Sequence, residues 1–189
     1  MKTMKKVLPL IAFALAVVAI VLSLFAAMKI EASGSVGIYK NIIWGCKEIE
    51  IDGHVVALKD LIGIEKVGIP VIPFIGLVLI LLGGVGALLV ALLAKKPSAK
   101  WIILICGVLI LAGAIMQFFI LNAFARAMVE TAYKQAGITD REQIEQAVKE
   151  SIENLKKQDP KLVMSIIMGV VGCLGGVAAI GGALLPEKK

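Results

Sequence analysis

Residues able to carry chemistry are few, and they are scattered. His54 is the single histidine in the chain. A metal site or a catalytic triad built on it would draw every other member from elsewhere, and a lone histidine after Asp52-Gly53 reads as a strand residue. Glu130 and Tyr133 could join it in lipid or peptide chemistry only if the fold brought the three together. Cys46 falls in a polar segment, while Cys106 and Cys173 fall in apolar runs as small packing residues. Cys46 has no partner cysteine in its own segment, so no internal disulfide is expected there, and one between two chains stays open. Gln117 and Asn122 are the amide side chains inside an apolar run, candidates for interhelical hydrogen bonding or for a polar pore lining. No phosphate loop, zinc spacing or nucleophile elbow is present. The sequence therefore points away from an enzyme, and it implies no cofactor and no metal.

The elements that would hold these residues are membrane helices. Apolar residues make up 59% of 189 positions, well above the roughly 45–50% of soluble domains, and mean hydropathy is +0.95. Four runs reach the ~20 apolar residues that a bilayer core demands: 7–28, 69–94, 101–125 and 162–185, none with Asp, Glu, Lys or Arg. The first run is too long for the h-region of a cleaved signal peptide, about 7–15 residues, and reads as a retained span.

Lysine placement gives the orientation. Residues 1–6, 95–100 and 186–189 hold eight lysines and one acid, Glu187. The loop 29–68 balances five lysines against six acids, and the loop 126–161 balances seven basic residues against seven acids. By the positive-inside rule both termini and the 95–100 turn are cytoplasmic and the two long loops lie outside. With the eight lysines explained as topology signals beside anionic headgroups, the net charge of +6 gives no support to nucleic-acid binding.

The first loop reads as a small sheet. Residues 35–43 are rich in β-formers, 46–51 alternate, Asp52-Gly53 signals a tight hairpin, and 54–58 return. Residues 59–68 read as a short helix or irregular link, with Pro70 and Pro73 marking entry into the second span. In the second loop, span three is expected to continue as a helix to Gly137. Thr139-Asp140-Arg141-Glu142 then reads as a capping box before an amphipathic helix with Ile144, Val148, Ile152 and Leu155 on one stripe. That helix is expected as a lid over the sheet or as a docking surface for a partner. Tyr39, Trp44, Cys46, Ile144, Val148 and Ile152 are the candidate contact residues of this exterior portion.

Small residues recur at helical spacing within the spans. Gly76, Gly83 and Ala87 lie in the second; Ser165, Gly169, Gly172 and Gly176 lie in the fourth. Such stripes let backbones approach closely, within one bundle or at a subunit interface. The fold class read from all this is a membrane all-α four-helix bundle with a small extracytoplasmic β-sheet and an extracytoplasmic amphipathic helix.

The order of parts resembles the claudin and peripheral myelin protein superfamily and its fungal relatives. Gly37-Ile38-Tyr39-Lys40-Asn41 is similar to the family's Gly-Leu-Trp motif, Cys46-Lys47 to the stretch holding its second loop cysteine, and Val55-Val56-Ala57-Leu58-Lys59-Asp60-Leu61 to the segment that leads into its second span. Ile42 stands where the first cysteine would be, so the family's loop disulfide cannot form, and Tyr39 replaces its Trp, with Trp44 nearby. The resemblance implies a left-handed four-helix bundle with an exterior sheet. It also implies a structural role in self-association, adhesion between membranes or service as an accessory subunit, with the lipid bilayer and a second copy or another membrane protein as partners. A channel or transport component, with several copies lining a pore by Gln117 and Asn122, is the alternative.

Overall fold

A computed structural model describes residues 2–93 and 99–185 of the chain, with side chains over 7–92 and 99–185. Of the turn expected at 95–100, residues 95–98 lie outside the described residues and Ala99 and Lys100 already belong to a helix; the C-terminal segment 186–189 also lies outside them. The elements run α1 (Lys2–Ser23), β1 (Ala27–Ala32), β2 (Ser35–Lys40), β3 (Glu48–Ile51), β4 (His54–Ala57), α2 (Leu58–Ile62), α3 (Val71–Leu93), α4 (Ala99–Gln117), α5 (Ile120–Gln135), α6 (Arg141–Lys157) and α7 (Val163–Leu184). They form two compact units. One comprises residues 2–22, 75–118 and 166–185, apart from the stretch 94–98, and the other Ser23–Phe74 with Phe119–Ser165.

The first unit is a set of packed apolar helices. Three of them are long and apolar enough to cross a membrane: Val71–Leu92, Ala99–Gln117 and Val163–Leu184. The apolar part of α1, Val7–Ser23, is shorter. Glycines fix who neighbours whom, because a Cβ at each would strike the adjoining helix. A Cβ on Gly83 would lie 2.6 Å from the Cys106 carbonyl oxygen, one on Gly107 3.0 Å from that of Gly176, one on Gly84 2.6 Å from Ala16 Cβ, and one on Gly175 3.3 Å from Leu15 Cβ. The neighbours around the unit are therefore α1, α3, α4 and α7, closing back on α1. The pairings Gly76 with Gly113 and Gly83 with Cys106 run antiparallel along α3 and α4, as do Gly107 with Ile180 and Gly169 with Phe118 along α4 and α7. Ala12, Ile103, Ile110, Ala179 and Ala183 form a buried cluster among these helices.

The second unit is a four-stranded antiparallel meander, β1-β2-β3-β4, with α2, α5 and α6. The hairpin read at Asp52-Gly53 is present, with φ of 48° and 86°, the two positive values that a tight two-residue turn needs. Asp52 adds a carboxylate that accepts the Val36 N–H at 2.8 Å. A second turn of the same kind, Ser33-Gly34 with φ of 52° and 84°, joins β1 to β2. Pairing of Met28 with Tyr39, Tyr39 with Ile49 and Ile49 with Val56 sets these side chains on one face, while Lys29, Glu31, Lys40 and Glu50 alternate onto the other.

Four boundaries differ from the sequence reading. The first apolar run does not stay helical to Met28: α1 ends at Ser23, and Ala26, Met28 and Ile30 are the buried positions of an alternating stretch that becomes β1. Burial on both sides of the junction makes one continuous apolar run out of a helix end and a strand start. The third run is broken at Phe118-Phe119, where the Phe118 N–H bonds to the Ile115 carbonyl three residues back and α5 then begins. No glycine or proline marks that break. The first-loop sheet has four strands from residue 27, where three from residue 35 were read. Finally, the cap of α6 is Asp140, whose carboxylate accepts the Glu142 and Gln143 N–H groups, so the helix starts one residue later than a Thr139 cap requires.

Candidate functional site

The glycine stripes are occupied within the chain. Gly76 faces Gly113 and Gln117, Gly83 faces Cys106 and Ile110, Gly172 faces Ala114, Gly176 faces Gly107 and Leu111, and Gly169 meets the Phe118 ring. Ala87 is fully buried, as is Ser165 at the N-terminal end of α7. Within the chain these small residues let neighbouring helix backbones come close together.

The two amides separate. Gln117 is fully buried on α4 and its Nε2 donates to the Gly113 carbonyl at 3.2 Å. Asn122 lies past the Phe118-Phe119 break, exposed on α5. The break at Phe118-Phe119 thus puts the two amides on different helices, one buried and one exposed.

Of the candidate contact residues, most are already in use. Cys46 is fully buried and its thiol donates to the Glu48 carbonyl at 3.1 Å. Burial pushes that thiol above its ordinary pKa, against the smaller pull of its backbone hydrogen bonds. In this conformation the thiol is not at the surface of the chain. Ile42, at the place where the resembled family has its other cysteine, is also fully buried. Tyr39 packs edge-on against Phe124 with ring centres 5.6 Å apart, and desolvation raises its phenol pKa. Trp44 stays partly exposed, with its indole N–H donated to Ser23 Oγ at 3.2 Å and its ring against Phe74.

On α6, Val148 and Leu155 are buried and Ile144 and Ile152 half-buried. Leu155 and Ser151 line a groove of ≈ 420 Å³ with Ile30 and Tyr39 of the sheet. The helix packs on α5, and only its C-terminal half, through Ser151 and Leu155, shares a groove with Ile30 and Tyr39 of the sheet.

No family model matches the sequence. No curated protein aligns with it either.

What stays open on the second unit is a different set. Among its exposed apolar residues, Val55 on β4 and Leu61 and Ile62 on α2 are 57%, 49% and 46% exposed, and α2 follows β4 directly in the chain. The sequence reading passed over them because Val55 sits in an alternating strand and Leu61-Ile62 in an unassigned link, where burial depends on what else the fold brings near. A second open feature is a cleft of ≈ 520 Å³ between the start of α3 and the α5–α6 pair. Its lining includes Ile69 and Ile72 at the start of α3, and Ala123, Arg126, Lys134 and Arg141 on α5 and α6. Arg126 Nε donates to Glu130 Oε1 at 3.0 Å, and its guanidinium also pairs with Glu145, which joins α5 to α6. Among the described residues no three of His, Cys, Asp and Glu converge as a metal-holding set.

Proposed function

We propose that the chain is a non-enzymatic four-span protein of the cell membrane, with both termini cytoplasmic, that works by assembly through its extracytoplasmic unit, on a claudin-like plan. The observation that carries this is the contrast between the two units. The glycines of the candidate stripes each meet a neighbouring helix within the helical unit, whereas the sheet-bearing unit keeps Val55, Leu61 and Ile62 exposed on consecutive elements. Apolar side chains left open together on a small unit favour contact with a second surface, here a second copy or another membrane protein.

The short apolar part of α1 is compatible with a fourth span. At 1.5 Å per residue, its 22-residue helix is about 33 Å long, which is enough to cross a hydrocarbon core of about 30 Å. Support for the claudin-like plan is the element order: one helix, a β meander, a helix, a helix that gives way to a polar helical loop, and a last helix. In place of the family's loop disulfide, a buried isoleucine, Ile42, and a buried thiol, Cys46, would hold the sheet by packing.

The test is the mass of the detergent-solubilised protein by size exclusion with light scattering. A defined oligomer that becomes monomeric in a Leu61→Ser/Ile62→Ser variant is the expected result. A wild-type monomer at all concentrations, with nothing co-purifying, overturns the assembly reading. Ion flux through reconstituted liposomes that Gln117→Leu abolishes would put the channel alternative in its place.

A further inference from the structure

The cleft at the foot of α3 holds more positive charge than its own carboxylates neutralise. Arg126, Lys134 and Arg141 line it together with two acids, Glu130 and Glu145. Both acids are committed to Arg126. Lys134 and Arg141 make no ion pair among the described residues. One guanidinium offsets only one of those two carboxylates, so the cleft keeps a single net positive charge, carried by Lys134 and Arg141, and that favours an anion.

The apolar part of the lining calls for something else. Ile69, Val71 and Ile72 line the same cleft and are 42%, 65% and 46% exposed. Val71 and Ile72 form the first turn of α3, which opens the apolar stretch Val71–Leu92 that is long enough to cross a membrane. A small soluble anion would satisfy Lys134 and Arg141 and leave these side chains against water. An occupant that answers both parts of the lining carries a negative headgroup and an apolar chain, and the first turn of a spanning helix is where such a chain is at hand. The volume of ≈ 520 Å³ is in the usual range for a bound small molecule, about 300–1,000 Å³, and suits a headgroup with the first part of a chain.

We infer that this cleft binds an anionic phospholipid, its phosphate against Lys134 and Arg141 and an acyl chain along Ile69, Val71 and Ile72. The inference goes beyond assembly and rests on the membrane reading of α3 alone. A bound lipid of this kind would tie the α5–α6 pair to the membrane surface through charge and would make that attachment dependent on lipid composition and salt.

The experiment is native mass spectrometry of the full-length protein purified in detergent and supplied with phosphatidylglycerol or phosphatidylcholine. Wild type is expected to retain phosphatidylglycerol several-fold better than phosphatidylcholine. Lys134→Ala/Arg141→Ala is expected to lose that preference, while Lys156→Ala/Lys157→Ala, which removes the same charge from α6 outside the cleft, is expected to keep it. Equal loss in both variants reduces the effect to general surface charge and overturns the proposal, as does full retention in the first. Displacement of the lipid by millimolar inorganic phosphate would show a plain anion site and overturn it as well. Should the double variant fail to fold, Lys134→Gln alone carries the test, with a partial loss expected and an unchanged preference counting against the site. Failure of the membrane reading is read separately, by recovery of the wild type in the soluble fraction without detergent.

Discussion

Lys29 and Lys161 exchange two backbone hydrogen bonds, Lys29 N–H to the Lys161 carbonyl at 3.0 Å and Lys161 N–H to the Lys29 carbonyl at 2.8 Å. The last residues before α7 are thereby added to the free edge of β1, and an edge strand that would otherwise present unpaired groups is covered locally. Glu31 locks the pair from the side, bonded to Lys29 Nζ at 2.8 Å and to Lys161 Nζ at 3.1 Å.

That lock should open in acid. The hydrogen bond from Lys29, and then that from Lys161, hold the Glu31 carboxyl below its ordinary pKa. A carboxyl lowered in the folded state lends stability that is complete above the unfolded value, about 4.3, and is lost as pH falls through the folded value. Hydrogen-exchange protection at Lys29 and Lys161 is expected to hold from neutral pH down to about 5 and to decline below about 4. Glu31→Gln should show weaker protection at neutral pH and no such decline.

The start of α6 separates two neighbouring candidates for its cap. Asp140 accepts the Glu142 N–H at 3.0 Å and the Gln143 N–H at 3.5 Å, and Thr139 is exposed one residue earlier. Asp140→Ala is expected to destabilise the second unit by about 1 kcal/mol, and Thr139→Ala by much less. Protection factors across the first turn of α6 measure the difference; equal effects would return the cap to Thr139.

Cys46 should behave as a core side chain. Its thiol is fully buried, bonded to the Glu48 carbonyl, and shifted upward by desolvation, so the thiolate that reacts with a maleimide is scarce and shielded. With Cys106 and Cys173 replaced by alanine, labelling of the folded protein is expected to be slow at neutral pH and rapid after denaturation. The mass in detergent should be the same with and without reductant. A dimer lost on reduction would mean that the β3 end of the sheet opens in solution.

How much of this was legible in the sequence depends on how local each cause is. Asp52-Gly53 could be read because both residues tolerate positive φ between alternating strands. Ser33-Gly34 is the same kind of signal, but Met28 and Ile30 merged with the apolar run before them, and the strand they belong to vanished into a span. The break at Phe118-Phe119 has no glycine, proline or cap to announce it. The stripe Ile144, Val148, Ile152 and Leu155 was visible as a period, but that α6 packs on α5 was not, since a period does not name the neighbour that covers it. The cleft had no local signature at all, since Ile69, Arg126 and Arg141 meet only through the tertiary fold. Exposure of Val55, Leu61 and Ile62 was unreadable for the same reason.

The close approach of α3 and α4 gives the sharpest contrast between two glycines of the helical unit. A Cβ on Gly83 would sit 2.6 Å from the Cys106 carbonyl oxygen and 2.7 Å from Ile110 Cγ1, whereas one on Gly181 would meet nothing within 4 Å. The Cys106 oxygen belongs to a helix backbone and cannot rotate away, so Gly83→Ala has to push the two helices apart and forfeit contacts along their seam. The expected cost is about 1–3 kcal/mol, read as a fall in the thermal midpoint of the detergent-solubilised protein. Gly181→Ala should leave that midpoint unchanged or slightly higher, because it adds a side chain in open space and stiffens the unfolded chain. If Gly83→Ala instead dissociates an oligomer without lowering the midpoint, the stripe on α3 faces another subunit and the intrachain packing of Gly83 against Cys106 is the step that fails.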